Sequence, residues 1–337
     1  MKSITITLHR SKNYGAFLQA FALQELLGEE NVILDYLAGY KELVSEKAKK
    51  VPFLWRIKGL YKYYVQRKQM QLKESDLLRK TEQFSNYKQL QNIKPDVFIV
   101  GSDQVWGGNA MNFYFLDFAN ENVRKISYAA SKNYIHWPAE IEKRAVYHLQ
   151  KFHAISVREE SFVEYLHSLG LNAVCVCDPT VLHKADFYRR NFNLVNSSAD
   201  SYVFIYRIRE NIFTLGNRKT ITVNLQDEKT LVSVGDWLSL INQAEFVLTD
   251  SFHCVVFSIL FHKQFAVFQN NSELRGMNER YSTILGKTNL EYRVLQGLET
   301  EEHILDVVNR PVNWEEVDAI LEEWRNYSKN WLMEALK

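Results

Sequence analysis

The segment from Glu245 to Phe261 reads EFVLTDSFHCVVFSILF, and it decides the fold. The apolar run at residues 246–248 has the length of a buried strand, whereas the apolar run after residue 253 has helical spacing. The polar residues between the two runs then form a tight turn. The segment therefore predicts a strand, a turn and a helix, which is the repeating unit of parallel α/β sheets.

His253 falls in the first turn of this predicted helix. In open α/β sheets, ligands bind where a strand ends and a helix begins, because free backbone N–H groups and the helix dipole favour an anion there. A histidine in that place can exchange protons near neutral pH. The structural alternative is that Ser251 caps the helix and His253 only packs. For this segment alone, both interpretations fit equally well.

Composition narrows the class of protein. A chain of 337 residues suggests two domains of roughly 150 residues each. A net charge of +1 argues against general nucleic-acid binding. The first eight residues alternate like a strand and lack the apolar core of a signal peptide, and no apolar run reaches the roughly 18 residues that cross a bilayer. We therefore expect a cytoplasmic protein.

Cysteine and histidine spacing predicts neither a disulfide nor a metal site. Cys175 and Cys177 form one closely spaced pair, and Cys254 stands alone. A zinc site needs a second pair of ligands at suitable spacing, which the sequence does not offer. Buried small side chains are the expected role for these thiols.

A second strand-turn-helix unit opens the chain. The strand of residues 1–8 leads to Asn13, Tyr14 and Gly15, and apolar residues follow at near-helical spacing. Gly15 allows another part of the chain to approach the backbone closely. The unit lacks the G-x-G-x-x-G pattern, so neither a dinucleotide site nor a dehydrogenase is predicted.

Two further strand ends carry polar side chains. The strand near residues 97–100 runs into Gly101, Ser102 and Asp103, where small residues leave room for a ligand; alternatively, Asp103 is a buried helix cap. Arg158 stands at another strand-to-helix junction, where a guanidinium binds carboxylate or phosphate with two parallel hydrogen bonds. Its structural alternative is an ion pair with a neighbouring glutamate.

Residues 41–94 are predicted to be a basic helical insertion. Residues 41–80 contain twelve lysines and arginines but four acidic residues, and aromatic side chains are interleaved with the basic ones. The favoured interpretation is a solvated helix whose apolar stripe packs on its own domain. The minority hypothesis is a peripheral contact with an anionic membrane surface, near a lipid-linked acceptor.

Four blocks of this sequence, at residues 13–24, 98–106, 155–161 and 237–253, resemble the polysaccharide pyruvyl transferase family and occur in its order. The resemblance implies two Rossmann-like α/β domains in a glycosyltransferase-B-like arrangement around a central cleft. We place the N-terminal, acceptor-side domain at residues 1–153 and the C-terminal, donor-side domain at 154–310. A terminal helix, 311–337, is expected to cross back to the first domain.

The resemblance also implies the activity: transfer of pyruvate from phosphoenolpyruvate to two hydroxyls of a sugar in a cell-surface polysaccharide or its lipid-linked precursor. No metal and no cofactor besides this donor are expected. His253 would be the catalytic acid and base. The donor-binding residues would be Arg158, Ser251, Arg275 and Arg280. The acceptor-binding residues would be Asn13, Tyr14, Gly15, Gln19, Ser102 and Asp103.

Two positions depart from the family pattern. Cys254 stands where the family usually has glycine, and it is a candidate reactive thiol at a helix start. Ser251 stands where some relatives carry arginine, so Arg275, Arg280 or Arg207 would have to supply that charge. Two alternatives stay open: a glycosyltransferase that uses a nucleotide sugar on the same scaffold, and a non-catalytic relative.

Overall fold

The computed structural model describes residues 1–36, 61, 75–107, 112–132, 134–194, 201–208, 215–269, 278–295 and 300–337, and every structural statement below concerns these residues. Most of the predicted basic insertion lies outside the described residues. So does Arg275, one of the predicted donor-binding residues.

The first half of the chain forms a six-stranded sheet in which every strand pairing is parallel. Its spatial order is β2-β1-β3-β4-β5-β6. The strands are β1 Ser3–Ile6, β2 Asn31–Ile33, β3 Val97–Val100, β4 Arg124–Ala130, β5 Ala154–Val157 and β6 Val174–Cys175. The helices of this half are α1 Tyr14–Leu27, α2 Tyr87–Leu90, α3 Ala139–Leu149 and α4 Glu160–Ser168.

The second half forms a five-stranded parallel sheet with the order β11-β10-β9-β7-β8. Its strands are β7 Val203–Arg207, β8 Thr220–Asn224, β9 Phe246–Thr249, β10 Gln264–Phe268 and β11 Val294–Leu295. The remaining helices are α5 Ala185–Asn191, α6 Val234–Gln243, α7 Phe252–Leu260, α8 Glu279–Lys287, α9 Glu301–Asn309 and α10 Trp314–Leu336. Short 3₁₀ helices occupy Ser75–Leu77, Asn112–Phe115, Pro179–Leu182, Glu228–Thr230 and Glu291–Arg293.

The central strands are mostly apolar, because a parallel sheet is normally covered by helices on both faces. All residues of β3, β7 and β9 are buried. Two parallel sheets with alternating strands and helices confirm the predicted pair of Rossmann-like halves. Helix α6 is capped by Ser233, whose hydroxyl accepts a hydrogen bond from the Asp236 backbone N–H.

The first sheet extends beyond the predicted domain boundary. β5 pairs with β4, and β6 pairs with β5, so the boundary drawn between residues 153 and 154 falls inside the first sheet. The local pattern of residues 154–161 is strand, turn and helix in either sheet, so it carries no information about which sheet the strand joins.

The terminal helix α10 contacts both halves. Its Arg325 donates to the carbonyl of Val181, and its Ser328 hydroxyl accepts from the backbone N–H of Cys177 at the end of the first sheet. On the other side, Asp318 is 3.0 Å from His262 of the second half. The helix therefore stabilises the position of one half relative to the other.

Each sheet has one point where the strand order reverses. In the first sheet, β1 is followed by β2 on one side and by β3 on the other; in the second, β7 is followed by β8 on one side and by β9 on the other. Loops at the carboxyl ends of the strands diverge at such points and leave a crevice, which is where ligands bind in open α/β folds. The loops of interest therefore follow β1, β3, β7 and β9.

The backbone conformation and the packing at position 101, at the end of β3, require glycine. Its φ is +114°, and a Cβ built on it would collide with the carbonyl oxygen of Tyr128 in β4. Gly170 has a φ of +75° but has no atom within 4 Å of the corresponding position.

We expect Gly101→Ala to lower the free energy of unfolding by about 3 kcal/mol, because strained backbone and steric overlap add. Gly170→Ala, the matched control, should cost only about 1 kcal/mol from its positive φ. Urea denaturation of both variants gives the comparison. Equal costs would contradict the close packing of Gly101 on β4.

Candidate active site at the junction of the two halves

His253 lies at the start of α7, as the sequence predicted. Ser251 is extended, with φ −101°, and its hydroxyl accepts from the backbone N–H of Cys254 at 3.5 Å, so the serine caps the helix. His253 is only 5% exposed. The predicted cap is therefore confirmed and His253 is enclosed between the halves, while the catalytic role of His253 stays a prediction.

The ring of His253 lies directly on Gly15 at the start of α1. Asn13 caps α1 by accepting from the backbone N–H of Gly15 at 2.9 Å, which fixes this first turn. A Cβ on Gly15 would overlap Nδ1, Cγ and Cε1 of the imidazole. The loop after β1 and the loop after β9 thus meet at this contact, so the two crevices form a single region.

Asp178 is the central anion of the region. Its Oδ1 accepts from the Thr180 backbone N–H at 3.0 Å and from the Thr180 hydroxyl at 2.7 Å. Its Oδ2 accepts from the Ser102 hydroxyl at 2.9 Å and from Arg158 Nη1 at 3.0 Å, and lies 3.7 Å from His253 Nε2. Burial raises the pKa of Asp178, but the charges of His253 and Arg158 and the hydrogen bonds together hold it well below its ordinary value.

Arg158 is surrounded by carboxylates rather than open to a ligand. Besides its bond to Asp178, it donates from Nε to Glu159 at 3.2 Å, and its Nη2 lies 3.9 Å from Asp103 Oδ1. Its guanidinium stacks on the ring of Phe252, 4.2 Å from the centroid, and the residue is 1% exposed. The ion pair with Glu159, given above as the structural alternative, is therefore present.

Glu159 and Arg280 extend this charge cluster into the second half. Burial raises the pKa of Glu159, while the charges of Arg158 and Arg280 and a hydrogen bond from the Ser131 hydroxyl oppose the rise; the net pKa is above the ordinary value. Arg280 lies in α8 and is 9% exposed. It is thus the predicted donor-binding arginine, among those described, that reaches this cluster from the second half.

Three of the predicted acceptor-binding residues support the local fold. Tyr14 donates from its hydroxyl to the carbonyl of Val232 at 3.0 Å and stacks on Trp237, with centroids 5.0 Å apart. The Gln19 side chain accepts from the Ser102 backbone N–H at 3.1 Å. Tyr14 therefore joins α1 to the second half, and Gln19 with Ser102 holds the loop after β3.

Asp103 differs from these residues. Its backbone has a φ of +71°, its carbonyl accepts from the Ser131 backbone N–H at 3.0 Å, and its side chain is 11% exposed. Within the described part of the chain, its carboxylate makes no hydrogen bond shorter than 3.5 Å; its nearest cation is Arg158. The carboxylate is thus able to accept hydrogen bonds from a ligand.

Sequence reasoning missed Asp178, Ser131 and Phe252. A usable signal existed for Asp178, because it follows the apolar segment of residues 173–177 and precedes Pro179 and Thr180, and aspartate followed by proline is a frequent helix start. Asp178 does cap the 3₁₀ helix Pro179–Leu182. The contacts of the other two residues depend on tertiary packing alone.

Two cavities lie elsewhere. One, of about 340 Å³, is lined by residues at the amino ends of β5 and β6 and by Trp331. The other, of about 360 Å³, lies between α5, the end of α7 and α10. Neither of these two cavities includes His253.

Among the described residues, no group of three or more histidine, cysteine, aspartate or glutamate side chains is arranged to hold a metal ion. Among the same residues, no helix is both long and apolar enough to cross a membrane.

Gly15→Ala should destabilise the protein only while His253 keeps its ring. In the His253→Ala background, alanine at position 15 should be neutral or stabilise by up to about 1 kcal/mol through helix propensity. A double-mutant cycle of unfolding free energies should give a coupling of about 2 kcal/mol. Additive effects would show that the ring and Gly15 are not in contact.

Cys254 should be an inert thiol. It is fully buried, and burial raises its pKa above the ordinary value, as it also raises the pKa of Cys177 to about 11. Native protein treated with iodoacetamide should therefore remain unlabelled at Cys254, whereas urea-unfolded protein should be labelled at all three cysteines. Rapid labelling of Cys254 in the native protein, located by peptide mass analysis, would contradict this burial.

Comparison with solved structures supports the architecture. UDP-N-acetylglucosamine 2-epimerase from Rickettsia bellii is 11% identical, with 99% of this chain and 95% of that chain covered and a TM-score of 0.53. The corresponding epimerase from Neisseria meningitidis, bound to UDP-GlcNAc, is 11% identical, with coverages of 100% and 99% and a TM-score of 0.50. The UDP complex of MnaA from S. aureus is 12% identical, with coverages of 99% and 95% and a TM-score of 0.50. These likenesses confirm the glycosyltransferase-B-like fold, and at such identities they show the fold alone.

Comparison with sequences gives the family. No curated protein matches the chain significantly. The family model for polysaccharide pyruvyl transferase matches residues 13–272, which is well over half of the 337-residue chain. That span contains the first turn of α1 and the loops after β3, β5, β6 and β9, which supply the residues gathered around His253. The chain belongs to the polysaccharide pyruvyl transferase family.

Proposed function

We propose that this protein transfers the pyruvyl group of phosphoenolpyruvate to two hydroxyls of one sugar in a polysaccharide or its lipid-linked precursor. Family membership supports polysaccharide pyruvyl transfer as the general activity. The observation that carries the finer proposal is the position of His253, on Gly15 and beside Asp178, where the two crevices meet. A proton-exchanging group at such a place can act on a donor held by one half and an acceptor held by the other.

The reaction needs one group that both gives and takes a proton. Protonation of the methylene carbon of phosphoenolpyruvate creates a cationic centre at the adjacent carbon, and the first sugar hydroxyl adds there and loses its proton. The bond from that carbon to the phosphate oxygen then breaks, and the second hydroxyl adds and loses its proton. Two protons leave the hydroxyls, one ends on the new methyl group and one on the phosphate. Histidine suits both steps because its proton exchange lies near neutral pH.

The donor is a small, highly charged anion, so it needs fixed positive charge. We propose that it binds at the start of α7, where backbone N–H groups and the helix dipole favour an anion, with Arg280 as the described cationic partner. Arg275 stays a proposed partner on sequence grounds. Arg158 contributes indirectly in this proposal: its three carboxylate neighbours neutralise it, and it holds Asp178 and Phe252 in place.

The acceptor needs hydrogen-bond acceptors that orient its hydroxyls. We propose Asp103 for this role, because its carboxylate makes no hydrogen bond within the described residues and its side chain, 11% exposed, is less buried than those of Asp178 and His253. Asn13, Gly15 and Ser102 shape the same region from the loops after β1 and β3. Tyr14 and Gln19 fix those loops to their surroundings.

Replacement of His253 by alanine should lower turnover by roughly a hundredfold or more, because proton transfer by a positioned side chain contributes about that factor. The matched control is His262→Ala, since His262 lies at the end of the same helix and pairs with Asp318 on the surface. Phosphate release with a panel of pyruvyl acceptors measures turnover. Equal turnover for His253→Ala and wild type would remove the proposed role.

Phosphoenolpyruvate should protect the folded protein. A ligand that binds only the folded state adds about 2.7 kcal/mol at a hundredfold excess over its dissociation constant. Arg280→Gln should reduce the shift in unfolding temperature. Arg158→Ala is a poor probe, since breaking a buried ion network costs about 3–5 kcal/mol by itself.

The same thermal measurement separates the alternatives. A shift with UDP-sugars and none with phosphoenolpyruvate would favour a nucleotide-sugar glycosyltransferase on this scaffold. No shift with either donor would favour a non-catalytic relative. Either result would overturn the proposed reaction.

A further inference from the structure

The two ring nitrogens of His253 face different surroundings. Nε2 is fully enclosed, has no hydrogen-bond partner within the described residues, and lies 3.7 Å from Oδ2 of Asp178. Nδ1 faces the first turn of α1, where a Cβ on Gly15 would overlap it. The nitrogens therefore cannot be equivalent in proton transfer.

Asp178 presents a fixed negative charge to Nε2. Its carboxylate accepts four hydrogen bonds, two from Thr180 and one each from Ser102 and Arg158. Hydrogen bonds to the ionised form and a neighbouring cation both favour ionisation of a carboxyl group. Asp178 is therefore a poor proton acceptor and acts on the ring through its charge.

A fixed anion on one side of a neutral imidazole selects between its two tautomers. With the proton on Nε2, the N–H dipole points toward the carboxylate and the interaction is attractive. With the proton on Nδ1, the lone pair of Nε2 points toward the carboxylate and the interaction is repulsive. The distance of 3.7 Å exceeds that of a hydrogen bond, so the preference arises from charge.

We propose that Asp178 is a positioning residue that keeps the proton on Nε2 of His253, so that Nδ1 is the nitrogen that exchanges a proton with substrate. The catalytic half of this statement rests on the proposed pyruvyl transfer; the tautomer itself does not. Protonated Nδ1 gives its proton to the methylene carbon of the donor, and the neutral Nδ1 then takes the proton of the attacking hydroxyl. Nε2 keeps its proton throughout.

Gly15 has a defined part in this arrangement. Any side chain at position 15 would occupy the space of Nδ1, whereas glycine leaves that side of the ring without a side chain. Asn13 keeps the first turn of α1 in place by capping it. Nε2 thus faces Asp178, and Nδ1 faces the region between the two halves.

The tautomer can be observed directly in protein labelled with ¹⁵N-histidine. Long-range ¹H–¹⁵N correlation spectra distinguish a protonated from an unprotonated ring nitrogen, and the His253 signals among nine histidines are those lost in His253→Gln. At a pH where the ring is neutral, we expect the proton on Nε2 by about tenfold or more, as an anion at this distance shifts protonation by that factor. A wild-type spectrum with the proton mainly on Nδ1 would overturn the proposal.

Two variants test the cause. Asp178→Asn removes the charge and should bring the two tautomers to comparable populations. Ser102→Ala removes a hydrogen bond to the same oxygen but leaves the charge, and should keep the wild-type preference. An unchanged tautomer ratio in folded Asp178→Asn would show that Asp178 does not set it; if that variant does not fold, the wild-type spectrum still decides.

The inference and the proposed reaction can fail separately. A proton on Nε2 in a protein without pyruvyl transfer would leave the positioning role of Asp178 intact and remove the reaction. Pyruvyl transfer in a protein whose His253 carries its proton on Nδ1 would leave the reaction intact and remove the positioning role of Asp178. If both hold, Asp178→Asn should lower turnover about tenfold or more while the thermal shift with phosphoenolpyruvate persists.

Discussion

The buried carboxylate of Asp178 is the interaction on which the candidate site depends. It receives hydrogen bonds from its own turn through Thr180, from the loop after β3 through Ser102 and from the end of β5 through Arg158, and it faces His253 from the other half. A buried charge is tolerated only when it is paired and hydrogen-bonded. Four hydrogen bonds, two of them from Thr180, satisfy that condition, so one anion fixes three loops and the orientation of a histidine.

The two halves meet through shape as well as charge. Tyr14 at the start of α1 stacks on Trp237 of α6, and Gly15, the next residue, receives the ring of His253. The first turn of α1 thus carries both the aromatic ring that stacks on the second half and the glycine that receives the imidazole ring. The two epimerase structures compared above act on a sugar nucleotide, UDP-N-acetylglucosamine. Their similarity to this chain is one of scaffold alone, because function on such scaffolds is set by side chains at the strand ends.

Local patterns predicted much of this molecule. The run of residues 246–261 gave the strand, the cap and the helix that carries His253, and similar runs gave the other strand ends. Long-range contacts were not predictable in the same way: Asp178 and Ser102 are 76 residues apart, and nothing local to either residue announces their hydrogen bond. Arg158 shows the same limit, because an arginine at a strand-to-helix junction has the same local sequence pattern whether its side chain binds a ligand or a carboxylate of the protein. The predicted boundary at residue 153 fell inside a sheet because strand pairing is also non-local.

The central claim is that the donor binds where His253 meets the first turn of α1. The most direct measurement is a crystal structure of the protein with phosphoenolpyruvate. The account predicts electron density for the donor at the start of α7, with its methylene carbon next to the imidazole of His253. Density for the donor in either of the two outlying cavities, and none beside His253, would contradict it.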